Sequence, residues 1–243
     1  MKFYTFAKRC AKEIIRDPLN LVFGLGFPVV LLLLLSAIQS NVPVELFEIK
    51  KLAPGIAVFG LSFMTLFSAT LIARDRETAF LQRLYTTPMR PQDFVLGYML
   101  PILPIAMAQS GVCYLVGFML GMPGTVNIVY AVLMSAPISI LYIGLGLLCG
   151  SIFNVKQVGG LCGALLTNLS AWLSGIWFDL DLIGGVFKQI SYALPFVHAV
   201  EMERAVIAGN FGDILPHLAW VLGYTLACTI AAILLFLRQM KRQ

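Results

Sequence analysis

Arg74, Arg76, Glu77, Phe80, Leu81, Arg83, Leu84 and Tyr85 share the stretch RDRETAFLQRLYTTPMRPQ, bracketed on both sides by long apolar runs. The apolar members recur at helical spacing beside the charged ones, and Pro88 and Pro91 stop the helix that this spacing predicts. A short helix with charge on one side and Phe80, Leu81, Leu84 and Tyr85 on the other needs lipid or a protein groove for its apolar face. The chemistry such residues offer is docking.

Residues for covalent chemistry are missing. The chain holds no Gly-Lys dipeptide, so it cannot form a phosphate-cradling G-x-x-x-x-G-K-[ST] loop and does not hydrolyse ATP itself. The serine elbow G-x-S-x-G is absent as well. His198 and His217 stand apart from carboxylates at ligand spacing and read as interfacial polar residues. Cys10, Cys113, Cys149, Cys162 and Cys228 are scattered without metal-ligand spacing and read as small apolar residues, so no metal or cofactor is expected in this chain.

The elements that position the docking stretch follow from composition. With 59% hydrophobic and only 12% charged residues over 243 positions, the chain is too apolar for a soluble domain and reads as an integral membrane protein. Charge-free runs cover Pro18 to Val44, Leu52 to Ala73, Phe94 to Val155, Gln157 to Phe178 and Ile214 to Leu237. One crossing takes about 20 apolar residues, so the third run must hold two helices. They part at GMPGTVN, Gly121 to Asn127, where glycine and proline cluster as in a short turn. Six spans are predicted, at about 19–39, 53–73, 94–120, 127–152, 157–178 and 215–237, in one transmembrane domain covering 1–243.

Of the 17 Lys and Arg residues, all but Lys50, Lys51, Lys188 and Arg204 fall on the side of the N-terminus. Translocation is biased against positive charge, so both termini and the docking stretch are expected in the cytoplasm. The net charge of +5 then reflects topology, and no nucleic-acid partner is expected, because no basic, aromatic-interleaved domain exists to bind one. Before the first span, Phe3, Phe6, Ala7, Cys10 and Ile14 form one helical stripe, which predicts an interfacial helix touching membrane lipid rather than a cleaved signal. The alternative is a positive flank that only orients the first span.

Between Asp179 and Asp213 lie two apolar pieces too short to cross, which predict external re-entrant or interfacial helices with Glu201, Glu203 and Arg204 facing the outer water. Gly117 with Gly121, Gly146 with Gly150 and Gly159 with Gly163 have the spacing that lets helix backbones approach in lipid. Pro101, Pro104 and Pro137 lie inside spans and are able to kink them. The span cores lack the ionisable residues of an ion-coupled carrier.

The order Arg76, Glu77, Thr78, Leu81, Leu84, Thr86, Thr87, Pro88 and Gly97 resembles the segment after the second span of ABC-2 type permeases, the membrane subunits of ATP-driven exporters. The six spans, the N-terminal helix and the apolar external segment resemble the same family. The resemblance implies an all-α membrane fold in which Arg74 to Pro88 is a coupling helix seated in a separate ABC ATP-binding subunit. It implies two such ATPases, which bind the ATP and Mg, and a second permease, with a homodimer the commoner arrangement. It places the chain in the plasma membrane of a prokaryote and makes the reaction export. Substrate would pass where the two permeases meet, lined by spans one, two and five, with Asn168, Ser170, Trp172 and Trp177 as candidate lining residues. Asn168 and Ser170 read equally well as interhelical hydrogen-bond partners.

The uncharged path points to a hydrophobic or amphipathic cargo such as a drug, a lipid-like molecule or an apolar peptide. A non-transporting or regulatory membrane anchor is the alternative, and it leaves a helix built for docking unexplained. A membrane enzyme would need polar residues converging at one depth, which the spans do not supply.

Overall fold

The computed structural model describes residues 2–42, 44–78, 80–87 and 89–240. Ala79, Pro88, Lys241 and Arg242 lie outside the described residues, as do the side chains of Phe3 and Tyr85. The described residues contain helices and turns and no strand. In order they are α1 (Lys2–Ile15), α2 (Pro18–Leu21), a π-helical segment (Val22–Gly26), α3 (Phe27–Asn41), α4 (Ile49–Glu77), α5 (Phe80–Tyr85), α6 (Pro91–Met119) and α7 (Asn127–Ile152). Next come α8 (Val155–Val158), a second π-helical segment (Gly159–Leu166), α9 (Thr167–Trp172), α10 (Leu180–Ile183), α11 (Gly185–Ala193), α12 (Pro195–Ala208) and α13 (Ile214–Met240).

Among the described residues five helical stretches are long and apolar enough to cross a membrane: Val22–Asn41, α4, α6, α7 and Phe211–Arg238, which takes in most of α13. The run expected at 157–178 is helical over 155–172 as α8, a π segment and α9, and it stops at Trp172 rather than at Phe178. Gly175, at φ +69°, supplies the left-handed backbone that turns the chain after it. The first π segment also has a local cause. Pro28 has no N–H to give, and its ring crowds the carbonyl four residues back, so the turn before it widens.

Helix α4 is the axis of the bundle. Its Ala53, Gly55, Ala57, Gly60, Ser62, Thr65, Ser68 and Ala69 are small enough for neighbouring helices to come close, and all are buried. Gly146 and Gly150 of α7 meet it where no side chain fits. A Cβ on Gly146 would lie 2.3 Å from the Thr65 carbonyl oxygen, and one on Gly150 2.5 Å from that of Ala69. The close approach is fastened by hydroxyls: Thr65 Oγ1 donates to the Tyr142 carbonyl at 2.9 Å and Ser68 Oγ to that of Ile143 at 3.2 Å. Pro101, Pro104 and Pro137 lie within unbroken α6 and α7.

Helix α1 packs differently from expectation. Phe6, Ala7, Cys10 and Ile14 do form a stripe, but the stripe is buried against protein, with Phe6 edge-on to Tyr98 at 4.8 Å and seated over Gly97. Helical periodicity shows that such a stripe exists and does not say whether lipid or protein covers it. The bundle thus has a basic end, where α1, α5 and α8 gather, and a far end carrying α10 to α12.

Candidate functional site

At the basic end the last turn of α4 spends four consecutive side chains on four different neighbours. Arg74 Nη1 reaches Asp17 at 3.4 Å, in the turn after α1. Asp75 is buried and accepts both Arg9 Nη1 and Nη2 at 2.6 Å, and the Tyr98 hydroxyl of α6 donates to it at 2.8 Å. Arg76 donates to the carbonyls of Gly150 at 2.9 Å and Phe153 at 3.2 Å, closing the C-terminus of α7. Glu77 Oε1 accepts the Val155 amide at 2.9 Å, at the N-terminus of α8. A cation on a helix C-terminus and a carboxylate on an N-terminus are the placements that the helix dipole favours. These residues weld α4 to α1, α6, α7 and α8.

Arg9 is the part that sequence reasoning missed. It pairs with Glu13 at 2.8 Å and holds its guanidinium 4.0 Å above the Phe80 ring of α5, a cation–π contact. Partial burial opposes its charge, yet the hydrogen bonds and charge of Asp75 outweigh that and drive its pKa further up. The i,i+4 pair with Glu13 was the available signal.

Helix α5 carries its apolar side inward. Leu81 is buried, Leu84 is half-buried against the core and Phe80 lies beneath Arg9. The face expected to need a partner's groove is therefore seated on the chain's own bundle. Arg83 and Thr86 are exposed, as are Glu77 and Thr78 at the end of α4. Thr86 and Thr87 donate to the carbonyls of Arg83 and Leu84 at 2.8 and 2.5 Å and end the helix.

A second feature is a groove of about 450 Å³ between the first crossing helix, α4 and α9. Its walls are aromatic: Phe27 meets Phe63 edge-on at 5.7 Å, Phe63 meets Phe59 at 5.7 Å, and Phe59 meets Trp177 at 5.8 Å. Asn168, Trp172 and Trp177 line it. Ser170 does not; it is buried and donates to the Thr167 carbonyl at 2.9 Å. Asn168 Nδ2 donates to the Ala164 carbonyl at 2.8 Å, which leaves its oxygen as a polar point in an apolar wall.

The far end is closed by α12. Arg204 joins Glu201 at 2.8 Å, the Gly175 carbonyl at 3.1 Å and the Lys51 carbonyl at 3.3 Å. His198 and His217, expected as separate interfacial residues, share a 2.9 Å Nδ1 contact. Glu203, expected in water, is buried and accepts the Tyr114 hydroxyl at 2.6 Å. Its position three before Val206 and four after Ala199 puts it on the buried stripe of α12. Burial pushes its pKa up to about 8. The folded chain thus holds Glu203 neutral, whereas the unfolded chain ionises it above about pH 4.3. Stability from this group is full below that pH and is lost as the pH rises through about 8. Raising the pH from 5 to 8 is expected to lower the melting midpoint of the wild type in detergent more than that of Glu203→Gln, which thermal unfolding at both pH values measures.

Among the described residues no three His, Cys, Asp or Glu side chains are grouped to hold a metal ion. A family profile described as ABC-2 type transporter matches residues 1–208. No curated protein matches the sequence.

Proposed function

Since the chain belongs to the ABC-2 type transporter family, a group of membrane subunits that work with an ABC ATP-binding subunit, we propose that it is the permease of an ATP-driven exporter. The protein is a multi-pass membrane protein and a transport subunit. In this reading the 155–172 run completes six crossings, and both termini and the basic end face the cytoplasm of a prokaryote at its plasma membrane. Two permeases pair as a homodimer, and two ATPases bind ATP and Mg and press on α5.

The observation that carries the reading is the junction at 74–84. A force applied to exposed Arg83 and Thr86 reaches α1 through Phe80 and Arg9, and reaches α7 and α8 through Arg76 and Glu77. Helix α8 leads into the π segment and α9, which wall the aromatic groove. A short element welded to several helices transmits rigid-body motion rather than absorbing it. A passive anchor has no use for that linkage.

The groove is the proposed path for a hydrophobic or amphipathic cargo, with Trp172, Trp177 and Asn168 in contact with it and Ser170 supporting the backbone. Trp172→Ala, in proteoliposomes holding permease and ATPase, is expected to raise the half-saturating concentration of a lipophilic dye roughly tenfold, the value of one lost aromatic contact of about 1.4 kcal/mol. ATPase pairing should not change. Unaltered dye transport by this variant would remove the groove from the path.

A further inference from the structure

Helix α1 has three faces, and protein covers only two. Phe6, Cys10 and Ile14 are buried against the bundle, and Arg9 with Glu13 turns toward Asp75 and Phe80. The third face carries Tyr4, 67% exposed, and Ile15, 66% exposed. Beside them Lys8, Lys12 and Arg16, all exposed, follow at four-residue spacing and so stack along one edge. Among the described residues none of these three cations has an ion pair or side-chain hydrogen bond.

We infer that this face binds anionic phospholipid headgroups, with Lys8, Lys12 and Arg16 on the phosphates and Tyr4 and Ile15 against the glycerol and upper acyl region. Location supports this. The first crossing begins within a few residues of the end of α1, at Pro18 to Val22, and its first apolar side chains, Val22 and Phe23, are exposed as Ile15 is. The C-terminal half of α1 therefore lies at headgroup depth. An apolar ridge beside a row of cations matches an amphiphile with an anionic head. Helix α5 lies under the Arg9 face instead, so an ATPase docked on it approaches α1 from another side. The inference requires membrane embedding but neither the ATPase nor the cargo.

The test uses the purified full chain alone, in maltoside micelles, with phosphatidylglycerol or phosphatidylcholine retention read by native mass spectrometry. Each cation near an anionic surface contributes roughly fivefold, so three predict a preference for phosphatidylglycerol on the order of a hundredfold. Lys8→Gln/Lys12→Gln/Arg16→Gln should erase the preference and leave phosphatidylcholine retention as in the wild type, which also shows that the variant is folded. Equal retention of both lipids by the wild type would overturn the inference. So would a triple variant that keeps the preference or loses both lipids alike, or inorganic phosphate displacing phosphatidylglycerol at equal concentration.

Discussion

Arg9→Ala is expected to destabilise the permease by about 3–5 kcal/mol, the range for breaking a buried ion pair and leaving one charge behind. The charge left behind is Asp75, at 1% exposure, with the Tyr98 hydroxyl at 2.8 Å as its remaining side-chain partner among the described residues. The reverse change is milder. Asp75→Asn leaves Arg9, whose side chain is 35% exposed and still paired with Glu13, so it turns toward water and about 1–3 kcal/mol is lost. The order of the two effects follows from burial rather than from the pair itself. Thermal unfolding of both single variants and the double variant, closed as a cycle, should show Arg9→Ala as the larger loss and a double variant less destabilised than the sum. Equal losses, or additivity, would mean that the pair is an ornament on a junction held by Phe6 and Tyr98 packing.

Arg76→Ala is expected to separate ATP hydrolysis from transport. The guanidinium makes charged hydrogen bonds to the Gly150 and Phe153 carbonyls, worth about 1.5–3 kcal/mol together with the cation at the α7 C-terminus. Without them the turn from α7 to α8 keeps the Glu77–Val155 bond but loses both Arg76 bonds that hold it to α4, while exposed Arg83 and Thr86 are untouched. Hydrolysis by the bound ATPase should persist, and dye moved per ATP should fall at least roughly tenfold. Arg74→Ala is the internal comparison: its contact with Asp17 is 3.4 Å at an exposed site, where a pair is worth about 0–1 kcal/mol, so transport should scarcely change. Proteoliposomes assayed for both activities decide the matter; hydrolysis and transport falling in parallel would point to lost assembly instead.

The sequence carried the crossing helices because hydrophobic length is a local property. Span four, expected at 127–152, is α7 to the residue, whereas α4 runs beyond 53–73 at both ends because Lys50, Lys51, Arg74 and Glu77 continue the helix past the apolar limit. Pro28 marks the first π segment but the second has no such mark in its own residues, and Gly175 inside WLSGIWF was the missed signal for the early end at Trp172. What periodicity cannot supply is the identity of the covering surface. The stripes of α1 and α5 were both visible, and both turned out to be covered by the chain itself. Arg76 and Glu77 were legible as important but not as internal fastenings, because their partners lie more than seventy residues away. Glu203 was misplaced by its charge, although its spacing from Ala199 and Val206 set it on the buried face.

The most direct measurement is co-purification of the permease with its ABC ATP-binding subunit, comparing the wild type with Arg83→Glu. Arg83 is exposed on α5, so the reversal should not disturb folding. The account predicts that the wild type retains the ATPase and that Arg83→Glu, with an unchanged melting midpoint, loses it. Equal retention by both would contradict docking through α5.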